Sequence, residues 1–220
     1  MTMPLNSRDD VLAHLLDVGI IPVVRVPTLD EAVQAASLVE AGGVPVVEIT
    51  MTVPSAPEAI AAVARAGRVL VGAGTVLSGA QAEACLDAGA RFIVTPVLVP
   101  DVIDVCRARD VPVIMGALTP SEILTAWRLG ADLVKVFPAH AVGGPAYLRA
   151  VLGPLPQIRL VPTGGVTLDS VPAFFAAGAV AIGVGGDVVN PRLLATGQAD
   201  EITARAQAFS AAVRAARQRA

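Results

Sequence analysis

Eight times along this chain a short, nearly continuous apolar run gives way to a stretch with helical spacing. The runs cover residues 20–26, 44–49, 69–72, 91–94, 111–115, 132–137, 158–161 and 179–184. Runs without polar alternation fit strands covered on both faces, which is the condition of a parallel sheet wrapped by helices. Gly42, Gly67, Gly89, Gly130 and Gly178 each stand between a helical stretch and the next run, where a left-handed helix end is expected. The far ends of the runs (Arg25, Glu48, Thr75, Pro96, Gly116, Lys135, Thr163, Gly185) recur 19 to 28 residues apart. That regularity predicts an α/β chain folded as a single-domain (β/α)8 TIM barrel over residues 1–220. A short helix over 7–18, capped by Ser7 and ended by Gly19, precedes the first strand. A doubly wound open sheet is the alternative, but no Gly-x-Gly-x-x-Gly follows the first run, which weakens a dinucleotide reading.

With 220 residues the chain can bury a substantial core, and with only 3% aromatic residues it must build that core from Ala, Val, Leu and Ile. A net charge of −3 and the lack of a basic stripe argue against nucleic acid as a partner. The longest uncharged run, 170–186, is broken by Pro172 and Gly178 and falls short of the roughly 20 apolar residues of a membrane span. The first ten residues carry charges and no apolar signal region, so a cytoplasmic location is expected. Cys85 and Cys106 fall in helical stretches without metal-ligand spacing and read as free, buried thiols.

Fifteen of the sixteen basic residues are arginine, and the one lysine, Lys135, sits inside the apolar run 132–137. A guanidinium keeps its proton, whereas a desolvated lysine amine can lose one and attack a carbonyl carbon. Lys135 is therefore the candidate nucleophile; the bland reading is a strand-end lysine reaching solvent. Glu48, between Val47 and Ile49, is a carboxylate in another buried run, rare unless paired or functional. Pairing with Arg25 or Lys135 is its structural explanation. Strand C-terminal ends converge on the active site of such barrels, so Arg25, Glu48, Thr50, Thr75, Pro96, Lys135, Phe137 and Thr163 should meet there. Gly164-Gly165 and Gly185-Gly186, ending the seventh and eighth runs, suit a phosphate held by backbone N–H groups. Gly72-Ala73-Gly74-Thr75 is a tight exit offering a hydroxyl to a small anion. His14 reads as structural, and His140 could approach the mouth of the site.

Val47-Glu48-Ile49-Thr50, Val71-Gly72-Ala73-Gly74-Thr75-Val76, Thr95-Pro96, Lys135-Val136-Phe137-Pro138 and Pro162-Thr163-Gly164-Gly165-Val166 together resemble the 2-keto-3-deoxy-6-phosphogluconate (KDPG/KHG) aldolase family. The resemblance runs in order from about residue 20 to 189. It implies a class I aldolase, homotrimeric and free of metal and cofactor, that cleaves a keto-deoxy sugar acid phosphate to pyruvate and glyceraldehyde 3-phosphate. By position it implies Lys135 as the imine-forming lysine and Glu48 as general acid/base. Thr75 falls beside the pyruvate carboxylate, Pro96 and Phe137 line the pocket, and Gly164, Gly165 and Gly185 face the phosphate. Two positions depart from the family pattern. Thr52 stands where gluconate-type members often carry arginine, and Gly186, followed by Asp187, stands where a serine is frequent. Both bear on the choice among gluconate-, galactonate- and hydroxyoxoglutarate-type substrates. Barrel isomerases and epimerases share the glycine pairs but have no use for a central lysine, and a non-catalytic trimeric scaffold is the third possibility.

Overall fold

The computed structural model describes residues 5 and 7–218. Side-chain caps set the helix starts. Ser7 and Asp10 form a reciprocal capping box at α1 (Arg8–Val18), and Thr28 accepts from the Glu31 N–H at α2 (Leu29–Ala41). The remaining helices are α3 (Ala56–Ala66), α4 (Gly79–Asp87), α5 (Pro100–Ala108), α6 (Pro120–Leu129), α7 (Pro145–Leu152), α8 (Val171–Ala176), α9 (Pro191–Ala195) and α10 (Asp200–Arg217). Among the described residues eight strands alternate with them: β1 (Ile20–Val24), β2 (Val46–Thr50), β3 (Leu70–Gly74), β4 (Ile93–Val94), β5 (Val113–Ala117), β6 (Leu133–Val136), β7 (Leu160–Pro162) and β8 (Ile182–Val184). All pairings are parallel, in the order β7-β6-β5-β4-β3-β2-β1-β8. Bridges at Leu160–Ala179 and Thr163–Gly183 join β7 to β8, so the sheet returns on itself as the expected (β/α)8 barrel.

Several strands start later than the apolar runs that announced them, for one physical reason. The N–H groups of Val44, Ala90, Val111, Ala131 and Ala179 bond back to the carbonyls of Val39, Cys85, Cys106, Ala126 and Phe174. Each is an apolar residue five positions beyond a helical carbonyl, the closing bond of a Schellman helix end. The amide is spent on capping the helix and makes no ladder bond; Ala179 meets the sheet only through its bridge to Leu160, and Val111 is only partly buried. The residue before each one takes the left-handed conformation, and this corrects the expectation for Gly42. Gly42 has φ −78°, and Gly43 carries the positive φ, at 80°. Gly42 is small for a different reason: a Cβ there would lie 2.6 Å from both Ala206 Cβ and the Thr203 carbonyl of α10. The helix end at Asp110 does without glycine, at φ 51°.

Alternation along each strand splits the core in two. An outer layer fills the space between barrel and helices. An inner cluster of Ile21, Val46, Leu70, Phe92, Val94, Ile114, Leu133 and Val161 fills the lower barrel, closed beneath by Val11 and Leu15 of α1. Buried Asp132 anchors that plug. It accepts from the Val113 N–H (2.9 Å) and pairs with Arg8 at the start of α1. At the other end of α1, Arg217 of α10 donates to the carbonyls of Leu16, Asp17 and Val180 and lies 5.4 Å from the Phe175 ring centre. Cys85 and Cys106 are buried and unbridged, and burial pushes their thiols up to about 11 and about 12. No helix among the described residues is long and apolar enough to cross a membrane.

Candidate active site

The inner apolar layer fixes what stands above it. Two residues beyond Ile21, Val46, Leu70, Ile114, Leu133 and Val161, on the same inward face, come Val23, Glu48, Gly72, Gly116, Lys135 and Thr163. The register pairs Val23 with Glu48, Glu48 with Gly72 and Gly116 with Lys135, and a bridge joins Thr163 to Gly183. Glycines alternate with functional side chains around this ring, so the barrel stays open from this level upward. Close approach requires glycine at Gly72 and Gly116, where a Cβ would lie 2.4 Å from the Phe92 ring and 2.2 Å from the Pro96 carbonyl carbon, and beside two functional side chains. A Cβ on Gly74 would lie 1.8 Å from Glu48 Oε1, and one on Gly183 would lie 2.3 Å from Thr163 Oγ1.

A cavity of about 650 Å³ opens here, lined by Arg25, Thr75, Pro96, Lys135, Phe137, Thr163, Gly164, Gly165, Gly185 and Gly186. Thr52, Val23, Val166, Gly183, Asp187, Val189 and Pro191 complete its wall. A second cavity of about 600 Å³ lies at the opposite end, between α1 and the barrel floor. It holds His14 but none of the strand-end residues, so the chemistry belongs to the upper one.

Lys135 is 5% exposed, with Nζ 5.2 Å from the centre of the Phe137 ring. Glu48 is buried beneath the cavity wall, and its Oε1 has no hydrogen-bond partner. Among the described residues it forms no ion pair with Arg25 or Lys135, so pairing does not account for it. Desolvation raises its pKa above the ordinary carboxylate range, and the charges of Lys135 and Arg25 pull it back only in part. Arg25 lies one residue past β1, exposed at the cavity edge. Thr75 is held at φ 58°, unusual for a β-branched residue and the kind of strain that collects at functional sites.

Not every strand-end residue faces the cavity. Thr50 is fully buried and turns its hydroxyl to the Val24 carbonyl (3.0 Å), while Thr52, two residues on, reaches the wall. His140 stands outside it, exposed against Gly165, although its N–H closes a 3.2 Å bond to the Gly164 carbonyl. Gly164 and Gly165 take φ 87° and 71°, and the Gly185 carbonyl accepts from the Val188 and Val189 N–H groups. The sequence singles out Asp187 as a departure but gives no sign that Val23, Val166, Val189 and Pro191 line the cavity. Pro191 opens α9, a five-residue helix whose only local signal is Asn190 accepting from the Arg192 N–H. Among the described residues no group of three His, Cys, Asp or Glu side chains could hold a metal ion.

The family model for KDPG and KHG aldolases matches residues 11–205. The chain belongs to that family. A 2-dehydro-3-deoxy-phosphogluconate aldolase of Treponema pallidum is 37% identical over 191 residues, 86% of this chain and 91% of the relative. The KHG/KDPG aldolase of Escherichia coli K12 is 36% identical over 185 residues, 84% and 87% of the two chains. A solved KDPG aldolase from Legionella pneumophila, with pyruvate captured at low pH as a covalent carbinolamine intermediate, superposes with a TM-score of 0.83. It is 28% identical, over 90% of this chain and 97% of that one. Within the aldolase family's matched span lie all the cavity residues expected from the sequence, together with Glu48 below them.

Proposed function

We propose that this chain is a metal-independent class I aldolase. It cleaves a 2-keto-3-deoxy-6-phospho sugar acid, most simply 2-dehydro-3-deoxy-6-phosphogluconate, into pyruvate and glyceraldehyde 3-phosphate. The observation that carries this reading is the chain's only lysine, buried at the base of the cavity on the same barrel level as an unpaired carboxylate. The names of the curated relatives agree with it.

Lys135 Nζ attacks the C2 ketone, and the resulting carbinolamine loses water to give an iminium ion. Glu48 takes the C4 hydroxyl proton. The C3–C4 bond then breaks, its electron pair passing to the iminium as an enamine while C4 departs as an aldehyde. Glu48 returns the proton to C3, and water hydrolyses the new iminium, releasing pyruvate and free Lys135. A carboxyl raised toward the working pH suits a group that must both accept and return a proton. Arg25 and Thr75 hold the substrate carboxylate, and Pro96 and Phe137 flank the reacting carbons. Thr163 and the backbone of Gly164, Gly165, Gly185 and Gly186 receive the distal hydroxyl and phosphate.

Borohydride reduction with pyruvate present tests the reading. A pyruvyl adduct on Lys135 by intact mass and peptide mapping, with loss of activity, is expected; an unmodified Lys135 refutes it. Assay of gluconate-, galactonate- and hydroxyoxoglutarate-type substrates side by side ranks the acids. The homotrimer is part of the same proposal. Leu77 and Val97, 53% and 52% exposed beyond β3 and β4, offer apolar contacts for it, and sedimentation equilibrium tests it.

A further inference from the structure

We propose that Thr52 is a specificity-determining residue that accepts a hydrogen bond from a hydroxyl on the aldehyde half of the substrate and has no proton to offer the substrate carboxylate. The inference rests on the aldolase reading above.

It follows from counting protons in a short chain of hydroxyls. Thr50 Oγ1 is 3.0 Å from the Val24 carbonyl and 2.8 Å from Thr52 Oγ1. A carbonyl oxygen can only accept, so the single Thr50 proton goes to Val24. Thr50 Oγ1 then has only lone pairs to present to Thr52, and the Thr52 hydroxyl must be the donor between them. Thr50 is fully buried, so water does not compete with the Val24 carbonyl for its proton, while Thr52 is exposed at the cavity. Thr52 lines the cavity wall with its proton committed to Thr50 and both lone pairs free to accept. The guanidinium on that wall, Arg25, is a pure donor. Thr52 supplies the opposite polarity at the end of β2: it repels a carboxylate oxygen and attracts a hydroxyl proton.

The test is the condensation of pyruvate with two aldehydes that differ in one oxygen, glyceraldehyde 3-phosphate and its 2-deoxy analogue 3-phosphooxypropanal. The readout is the ratio of their kcat/KM values in wild type, Thr52→Val and Thr52→Ser. Thr52→Val should reduce the preference for the hydroxylated aldehyde about tenfold, the scale of one hydrogen bond, with KM for pyruvate unchanged. Thr52→Ser, which keeps the hydroxyl, should restore the ratio. An unchanged ratio in Thr52→Val overturns the inference, as does a rise in pyruvate KM without a change in ratio, because Thr52 would then serve the carboxylate. Borohydride trapping of pyruvate is run on each variant. Trapping with an unchanged ratio refutes only the role of Thr52, whereas no trapping in the wild type refutes the aldolase reading itself.

Discussion

On the proposed mechanism, adding a single methyl group at Gly74 should disable the site without replacing Lys135 or Glu48. The backbone of Gly74 lies outside the left-handed region, so alanine meets no conformational penalty there. Its Cβ, however, would stand 1.8 Å from Glu48 Oε1, 2.4 Å from Cδ and 2.5 Å from Cγ. Non-bonded heavy atoms settle near 3.5 Å, so the carboxylate must retreat by about 1.5 Å. Misplacing a catalytic group by about 1 Å can lower the rate roughly 10²-fold, and losing a positioned acid/base altogether lowers it roughly 10²–10⁴-fold. Gly74→Ala is therefore expected to reduce kcat by about 10²-fold, read as pyruvate release coupled to lactate dehydrogenase. Imine formation needs Lys135 alone, so borohydride should still trap pyruvate. Shortening the acid in the same chain, Gly74→Ala with Glu48→Asp, should recover part of the rate. A Gly74→Ala enzyme with wild-type kcat would mean that Glu48 is not the proton carrier.

Arg25→Ala should raise KM for pyruvate about tenfold or more and leave KM for the phosphorylated aldehyde nearly unchanged, since hydrogen bonds to a charged group contribute roughly 1.5–3 kcal/mol. The reverse pattern in steady-state condensation kinetics would move Arg25 to the phosphate. Glu48→Gln should be inactive yet more stable at neutral pH. A raised carboxyl pKa contributes stability that is present below its unfolded value and lost as pH rises through its folded value, so the variant's advantage in thermal melts should vanish on acidification. A gain that persists in acid would contradict desolvation as the cause. Asp110→Gly should stabilise the fold by about 0.5–1 kcal/mol in urea titrations, because Asp110 holds a left-handed φ of 51° that glycine adopts freely; destabilisation would mean that its side chain contributes more than its strain.

What could be read from the sequence depended on how local its cause was. The cap at Ser7 lies within three residues of the amide it satisfies, so the helix expected over 7–18 appears as α1, one residue shorter at its start. Lys135 and Glu48 were legible because a charge in a buried run has few explanations. Strand starts were not, because the Val44 and Val111 amides are claimed by the preceding helix end, and composition does not distinguish a buried cap from a buried strand. The placements of Thr50 and Thr52 were also hidden. Which of them faces the cavity depends on the Val24 carbonyl, 26 residues from Thr50 in sequence. The spaces kept for Glu48 and Thr163 come from Gly74 and Gly183 on neighbouring strands, and they appear only once the register is known.

The three carbonyls gathered by Arg217 have a consequence for how the protein is made. Two belong to the end of α1 and one to Val180, two residues before β8. The β1–β8 pairing that this arginine adjoins joins the earliest strand to the latest. During synthesis β1 therefore waits with an unpaired edge until β8 has left the ribosome, and the clasp beside it forms only when residue 217 has followed. An exposed strand edge is a template for wrong pairing, so the last turn of α10 acts as a latch on the one seam that the growing chain cannot close early.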